Sequence, residues 1–118
     1  ALVQEILDLL PKEIFTDPTK TFLDPSCGDG QFLSEVLIRK IENGITFDQA
    51  LSTVYGVDIM EDNVAECRKR LLCGKEEFRY IVEKNIICHD ALTYDYSFNG
   101  TDLNKDDLTW DNLFEVAK

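Results

Sequence analysis

Three aspartates and one glycine turn have the residue types and spacing to do chemistry in this chain. Asp24 opens the stretch Asp24-Pro25-Ser26-Cys27-Gly28-Asp29-Gly30, and Asp58 and Asp90 follow at two later points. Proline donates no amide and pushes the residue before it away from helical geometry, so Asp24-Pro25 ends a strand. Gly28 and Gly30 let the backbone bend tightly and lie against a ligand where a side chain would block it. A carboxylate has two acceptor oxygens, so Asp58 can take both hydroxyls of a vicinal diol such as a ribose, as an acid after the second strand does in nucleotide sites. Asp90 can accept from an amino group while the Ala91 amide donates to a ring nitrogen. Asp24 is placed to attract an ammonium, and Ile59 to cover one face of a ring. Taken singly, an aspartate at a strand end is usually a turn or cap residue. The joint spacing reverses that expectation.

The elements that must position these residues can be read from periodicity and punctuation. Over residues 1–10, Leu2, Ile6, Leu9 and Leu10 share one face of a short amphipathic helix, which Pro11 ends. Asp17-Pro18-Thr19-Lys20 is turn chemistry, and Thr21 to Leu23 form the first strand. A helix from about Gly30 to Glu42 follows, with Phe32, Leu33, Val36, Leu37, Ile38 and Ile41 as its buried side and Asn43-Gly44 as its stop. Phe47 to Leu51 makes a further turn or two of helix, and Val54 to Val57 a second strand ending on Asp58. A helix over Glu61 to Leu72 has acids in its first turn and bases in its last, which suits the helix dipole, and Gly74 closes it. Glu76 to Val82 reads as a short helix and Asn85 to Cys88 as a third strand, ahead of His89-Asp90. Beyond Leu92 the pattern dissolves into an irregular tail over 93–118, with Asn112 to Ala117 as a possible fourth strand. Strand, helix, strand, helix, strand predicts an α/β fold, half of a doubly wound parallel sheet. All three acids then fall at carboxyl ends of parallel strands, where open sheets of this class bind ligands.

Composition bounds the rest. A chain of 118 residues with 44% hydrophobic content makes one domain with a single core. A net charge of -11 and a pI near 4.4 repel phosphate backbones, so if the parent protein acts on DNA its basic contacts come largely from outside this segment. Cys27, Cys67, Cys73 and Cys88 match no paired zinc-ligand spacing and come with one histidine, His89; they read as reduced thiols with no metal. No apolar run approaches the roughly 20 residues of a membrane span, and a cytoplasmic setting is expected. Met60 is the only methionine, so the chain reads as an excised piece of a longer protein.

The string Asp-Pro-x-Cys-Gly-x-Gly-x-Phe-Leu at 24–33 resembles the S-adenosylmethionine loop of amino-group DNA methyltransferases, especially the N6-adenine-specific enzymes of restriction-modification systems. Tyr55-Gly-Val-Asp-Ile59 is similar to that family's ribose-binding strand, and Asn85-Ile-Ile-Cys-His-Asp-Ala-Leu92 to its third motif. The opening helix resembles the segment that starts the family's catalytic domain, so the likeness covers residues 1 to about 92. It implies the N-terminal half of a Rossmann-like methyltransferase sheet: an N-terminal helix and turn over 1–20, a cofactor core over 21–92, then the tail. The implied cofactor is S-adenosylmethionine, held by Asp24, Pro25, Cys27, Gly28, Gly30 and Phe32 of the loop, Asp58 and Ile59 on the ribose and adenine, and Asp90 and Ala91 on the adenine edge.

The family's chemistry is carried by an Asn, Asp or Ser followed by Pro-Pro and an aromatic, which holds the target amine and stacks a flipped base. Prolines stand only at 11, 18 and 25, so that motif is not encoded here. The resemblance therefore implies a portion that binds S-adenosylmethionine without methylating by itself, its parent reaching DNA through other parts. Two alternatives stand beside it: a natural non-catalytic binding module completed by a partner chain, and part of an RNA or protein amide-nitrogen methyltransferase. Cys27 reads as a small packing residue, His89 as incidental, and Arg68-Lys69-Arg70 as a solvated helix end. A sheet edge left bare by the missing half is expected to favour self-association.

Overall fold

Three short apolar runs, Phe22–Asp24 (β1), Val54–Asp58 (β2) and Ile86–Cys88 (β3), lie parallel in the order β1-β2-β3. The computed structural model describes residues 2–98, and the possible strand at 112–117 lies outside them. Register decides what the ends do. Asp24 sits opposite Gly56 and Cys88 opposite Asp58, so β1 stops two residues short of β2. The chain leaving β1 must therefore fold across the end of β2.

Between β1 and β2 run α3 (Gln31–Glu42) and α4 (Phe47–Ser52), and between β2 and β3 run α5 (Glu61–Leu72), a 3-10 turn at Glu76–Phe78 and α6 (Arg79–Asn85). The buried positions of α3 are Leu33, Val36, Leu37 and Lys40, and those of α5 include Val64, Cys67 and Leu71. Both sets follow the i, i+3, i+4, i+7 spacing of a single helical stripe. These stripes join Val54 and Ile86 in one contiguous core. Phe22 of β1 belongs to the same layer, its ring stacked on Phe32 of α3 at 5.6 Å between centroids.

The helix faces differ from the expected ones in two places. Ile38 and Ile41 are 44% and 39% exposed, while Lys40 is fully buried. The Lys40 Nζ donates to the carbonyls of Ile14 and Lys20, both at 2.9 Å, so an ammonium with two fixed acceptors takes the place that hydrophobicity assigned to Ile41. The opening segment, expected as one helix and a turn, is two helices, α1 (Leu2–Asp8) and α2 (Glu13–Thr16). In α1 it is Leu7 that is buried, while Ile6, and Leu9 just beyond the helix, face outward. Arg39 of α3 contacts the helix in this orientation, pairing with Asp8 at 2.8 Å and donating to the Gln4 Oε1 at 2.7 Å.

Two further boundaries moved. Asn85 closes α6 rather than opening β3, because its buried amide donates to the carbonyls of Ser52 and Val54 at 3.1 and 3.2 Å. Residues 93–98, expected as part of an irregular tail, form a packed strap. Alternation puts Tyr55 and Val57 on the sheet face opposite Val54 and Gly56. Phe98 is 2% exposed there, its ring 4.8 Å from that of Tyr55.

Candidate ligand site at the carboxyl ends of the strands

Asp58 joins the three strand ends. The loop after β1 crosses β2 through a Cys27 amide donating to the Val57 carbonyl at 2.9 Å and a Gly28 amide donating to Asp58 Oδ2 at 3.0 Å. From the other side, the His89 amide after β3 donates to the Asp58 carbonyl at 2.9 Å. Asp58 Oδ1 accepts from the Met60 amide at 2.8 Å and from Asn63 Nδ2 at 3.3 Å, which ties it to the start of α5. A carboxylate offers about four lone-pair sites, and three carry protein donors in this conformation. One direct site remains for a ligand hydroxyl, so a diol taken on both hydroxyls must displace the Asn63 or Gly28 donor.

The loop glycines divide by what surrounds them. Gly28 has φ 53°, and a Cβ added there meets nothing within 4 Å. Its open side is where a ligand can reach the backbone. Gly30, φ 89°, faces inward: an added Cβ would lie 2.8 Å from Cys67 Sγ and 3.0 Å from Cys67 Cα. Its glycine character serves the packing of loop on helix. Gly56 of β2 does the same beneath the loop, where an added Cβ would meet Cys27 Cβ and Leu33 Cδ1, each at 2.8 Å. Arg70 fastens the loop from α5, its Nε donating to the Asp29 carbonyl at 3.1 Å.

Electrostatics favour a cation. Burial pushes the Asp24 carboxyl upward from its ordinary value; the Ser26 amide, donating to Oδ1 at 3.0 Å, opposes this, and the nearby Asp58 charge adds to it. Two carboxylates at adjacent strand ends are relieved by a positive group between them. Cys27 is the opposite case. Contact with the Cys67 thiol and then burial push its thiol far up, so it stays neutral.

At the end of β3, Asp90 organises a tight turn. Its Oδ1 accepts from the Leu92 amide at 2.9 Å, and its carbonyl from the amides of Thr93 and Tyr94 at 3.0 and 2.9 Å. Among the described residues, Oδ2 of Asp90 and the amide of Ala91 have no hydrogen-bond partner. An acceptor and a donor on adjacent residues are thus left without protein partners. That pair complements a ring edge bearing an amine beside a ring nitrogen, as adenine does.

The remaining expected residues are placed as follows. Pro25 is exposed at the loop crest, Ile59 is 65% exposed beyond Asp58, and Phe32 is turned into the core against Phe22. Arg68, expected in solvent, donates through Nε and Nη2 to the Ile86 carbonyl at 3.0 and 2.6 Å. Arg70, expected in the same solvated helix end, instead holds the Asp29 carbonyl, and Asn63, which acts on Asp58, has no sequence expectation; its place in the first turn of α5 after an acid is the available signal. A cavity of about 300 Å³ lined by Ser52, Tyr55, Tyr80, Ile81, Lys84 and Asn85 opens at the amino ends of β2 and β3, away from these aspartates. Among the described residues, no three or more His, Cys, Asp or Glu side chains converge as metal ligands, and no helix is long and apolar enough to cross a membrane.

The chain matches no protein-family model, no curated protein and no solved structure.

Proposed function

We propose that this chain is the S-adenosylmethionine-binding portion of a methyltransferase, of the class that methylates the N6 amine of adenine in DNA. The observation that carries the reading is the convergence on Asp58, where hydrogen bonds from the loop after β1 and from the chain after β3 bring Asp24, Asp58 and Asp90 to one end of the sheet. The order β1-β2-β3 with helical crossovers agrees with one half of a Rossmann-like sheet. In this reading Asp24 and Asp58 attract the charged methionine portion, the open side of Gly28 lies along it, and Asp58 accepts from the ribose. Asp90 and Ala91 take the adenine edge, with Ile59 against its face.

The cofactor supplies an activated methyl on sulfur. The chain's own residues bind and orient it, and positioning is the main contribution such a site makes to methyl transfer. With a net charge of -11 and no Asn/Asp/Ser-Pro-Pro-aromatic motif in the sequence, neither DNA binding nor capture of the target amine is assigned to these residues.

Calorimetric titration with S-adenosylhomocysteine tests the reading. Saturable binding is expected, and Asp58→Ala should weaken it by roughly 10- to 150-fold, the worth of one charged hydrogen bond. Absence of binding to the folded wild-type chain would overturn it. Incubation with methyl-labelled S-adenosylmethionine and mixed DNA should give no incorporation above background.

A further inference from the structure

The strap after β3 holds two aromatic residues in a backbone conformation that bulky side chains rarely adopt. Tyr96 and Phe98 have φ of 57° and 49°. Such geometry persists where the surroundings over-determine it, and it concentrates at functional sites. The anchors are on both sides. Phe98 is buried against Tyr55, and its amide donates to the Tyr94 hydroxyl at 3.0 Å. The Tyr94 ring lies 5.2 Å from that of His89, whose amide is bound to Asp58. Between these anchors the Tyr96 hydroxyl reaches back and donates to the Ala91 carbonyl at 2.6 Å. Burial, and then the Asp90 charge, push the Tyr96 phenol up, so it remains a donor at neutral pH.

Ala91 follows Asp90, and its amide, like Asp90 Oδ2, has no hydrogen-bond partner among the described residues. The Ala91 amide shares its peptide with the Asp90 carbonyl, which the Thr93 and Tyr94 amides hold, and Tyr96 holds the carbonyl of the next peptide, so the backbone is fixed on both sides of Ala91. We propose that Tyr96 is a positioning residue: its hydroxyl, bound to the Ala91 carbonyl, holds the Asp90–Ala91 turn so that its acceptor and donor together select a ring edge with an amine beside an unprotonated nitrogen. This rests on the adenosyl-cofactor reading above. It adds the element that makes the site choose adenine over its deaminated counterpart, in which the amine is a carbonyl and the ring nitrogen carries a proton. Both members of the pair are then mismatched.

The test compares S-adenosylhomocysteine with S-inosylhomocysteine on the wild type, Tyr96→Phe and Tyr94→Phe. Tyr96→Phe keeps the ring and removes the donor. The wild type should prefer the adenine ligand by tenfold or more, on the order of one or more hydrogen bonds. Tyr96→Phe should lose most of that preference by weakening the adenine ligand alone, whereas Tyr94→Phe, which loosens the strap without touching Ala91, should keep it. Equal weakening of both ligands in Tyr96→Phe, or an unchanged preference, overturns the role of Tyr96 while leaving the cofactor reading intact. No wild-type binding of either ligand overturns both. Amide exchange on the wild type gives a readout independent of variant stability: the adenine ligand should protect the Ala91 amide more than the inosine ligand does, and equal protection would also refute the selection.

Discussion

The Gly28 amide donates to Asp58 Oδ2 at 3.0 Å, joining two residues thirty positions apart in sequence. The loop after β1 is thereby tied to the acid that ends β2. An acid that ties down a loop is a structural residue as well as a ligand acceptor, and its substitution should report on both.

Asp58→Ala leaves the Gly28 and Met60 amides without their acceptor. Because the site is partly open to water, the expected loss of stability is about 1–3 kcal/mol, beside the loss of ligand affinity. Urea unfolding followed by circular dichroism measures it as a lower midpoint at constant slope. A midpoint equal to that of the wild type would mean that the loop is held by its other contacts.

Gly28→Ala and Gly30→Ala should separate fold from binding. At Gly28 an added methyl meets nothing, so only the left-handed backbone is penalised, by about 1–2 kcal/mol. The variant should fold, with the methyl standing where the cofactor's methionine portion is proposed to lie, and titrations should show binding reduced more than tenfold, an effect on the order of the 1.4 kcal/mol that a tenfold change represents. At Gly30 the methyl collides with Cys67, backbone included, which adds about 1–3 kcal/mol of overpacking to the strain. Thermal melts should place Gly30→Ala well below Gly28→Ala; the reverse order would contradict the assignment of the two glycines.

Asp24→Asn should stabilise the free protein at neutral pH. The folded-state pKa of Asp24 is raised, with burial the larger cause and Asp58 adding to it, so in the window just above the ordinary carboxylate value the folded state holds the proton more often than the unfolded state does. Stability therefore falls as pH rises through that window, and the variant avoids the loss. Melting temperatures of the two proteins should converge at pH values below the window. A neutral-pH melting temperature below that of the wild type would refute the argument. The same variant should bind S-adenosylhomocysteine less tightly, since the attraction for its ammonium is gone.

Lys40→Met removes the donor shared by the Ile14 and Lys20 carbonyls and should cost about 1–3 kcal/mol, read as an earlier unfolding of the α1–α2 segment in amide exchange. Burial lowers the folded-state pKa of Lys40, with Asp17 opposing. In the window below the ordinary lysine value the unfolded chain binds more protons, so this group makes stability rise with pH there. The variant should lack that rise; an identical alkaline profile would refute the assignment.

What the sequence determined by itself is local. The bounds of α5 match the observed Glu61–Leu72, because acids at its start, bases at its end and Gly74 beyond act within a turn or two of the chain. The strand ends at Asp24 and Asp58 followed from Pro25 and from the apolar run before each acid, and the placement of all three aspartates at one end of the sheet followed from parallel order. Tertiary structure decided what each polar group does once there. That Lys40 is buried and Ile41 exposed depends on where the Ile14 and Lys20 carbonyls come to rest, which helical periodicity does not encode. That three donors occupy Asp58, that Arg70 holds the Asp29 carbonyl, and that Tyr96 reaches Ala91 depend on distances of a few ångströms between elements or turns whose relative placement comes from packing. A hydrogen bond weakens within an ångström of its optimum, whereas hydrophobic patterning marks only which face of an element is apolar. Patterning is therefore visible in one dimension, and the wiring of the site only in three.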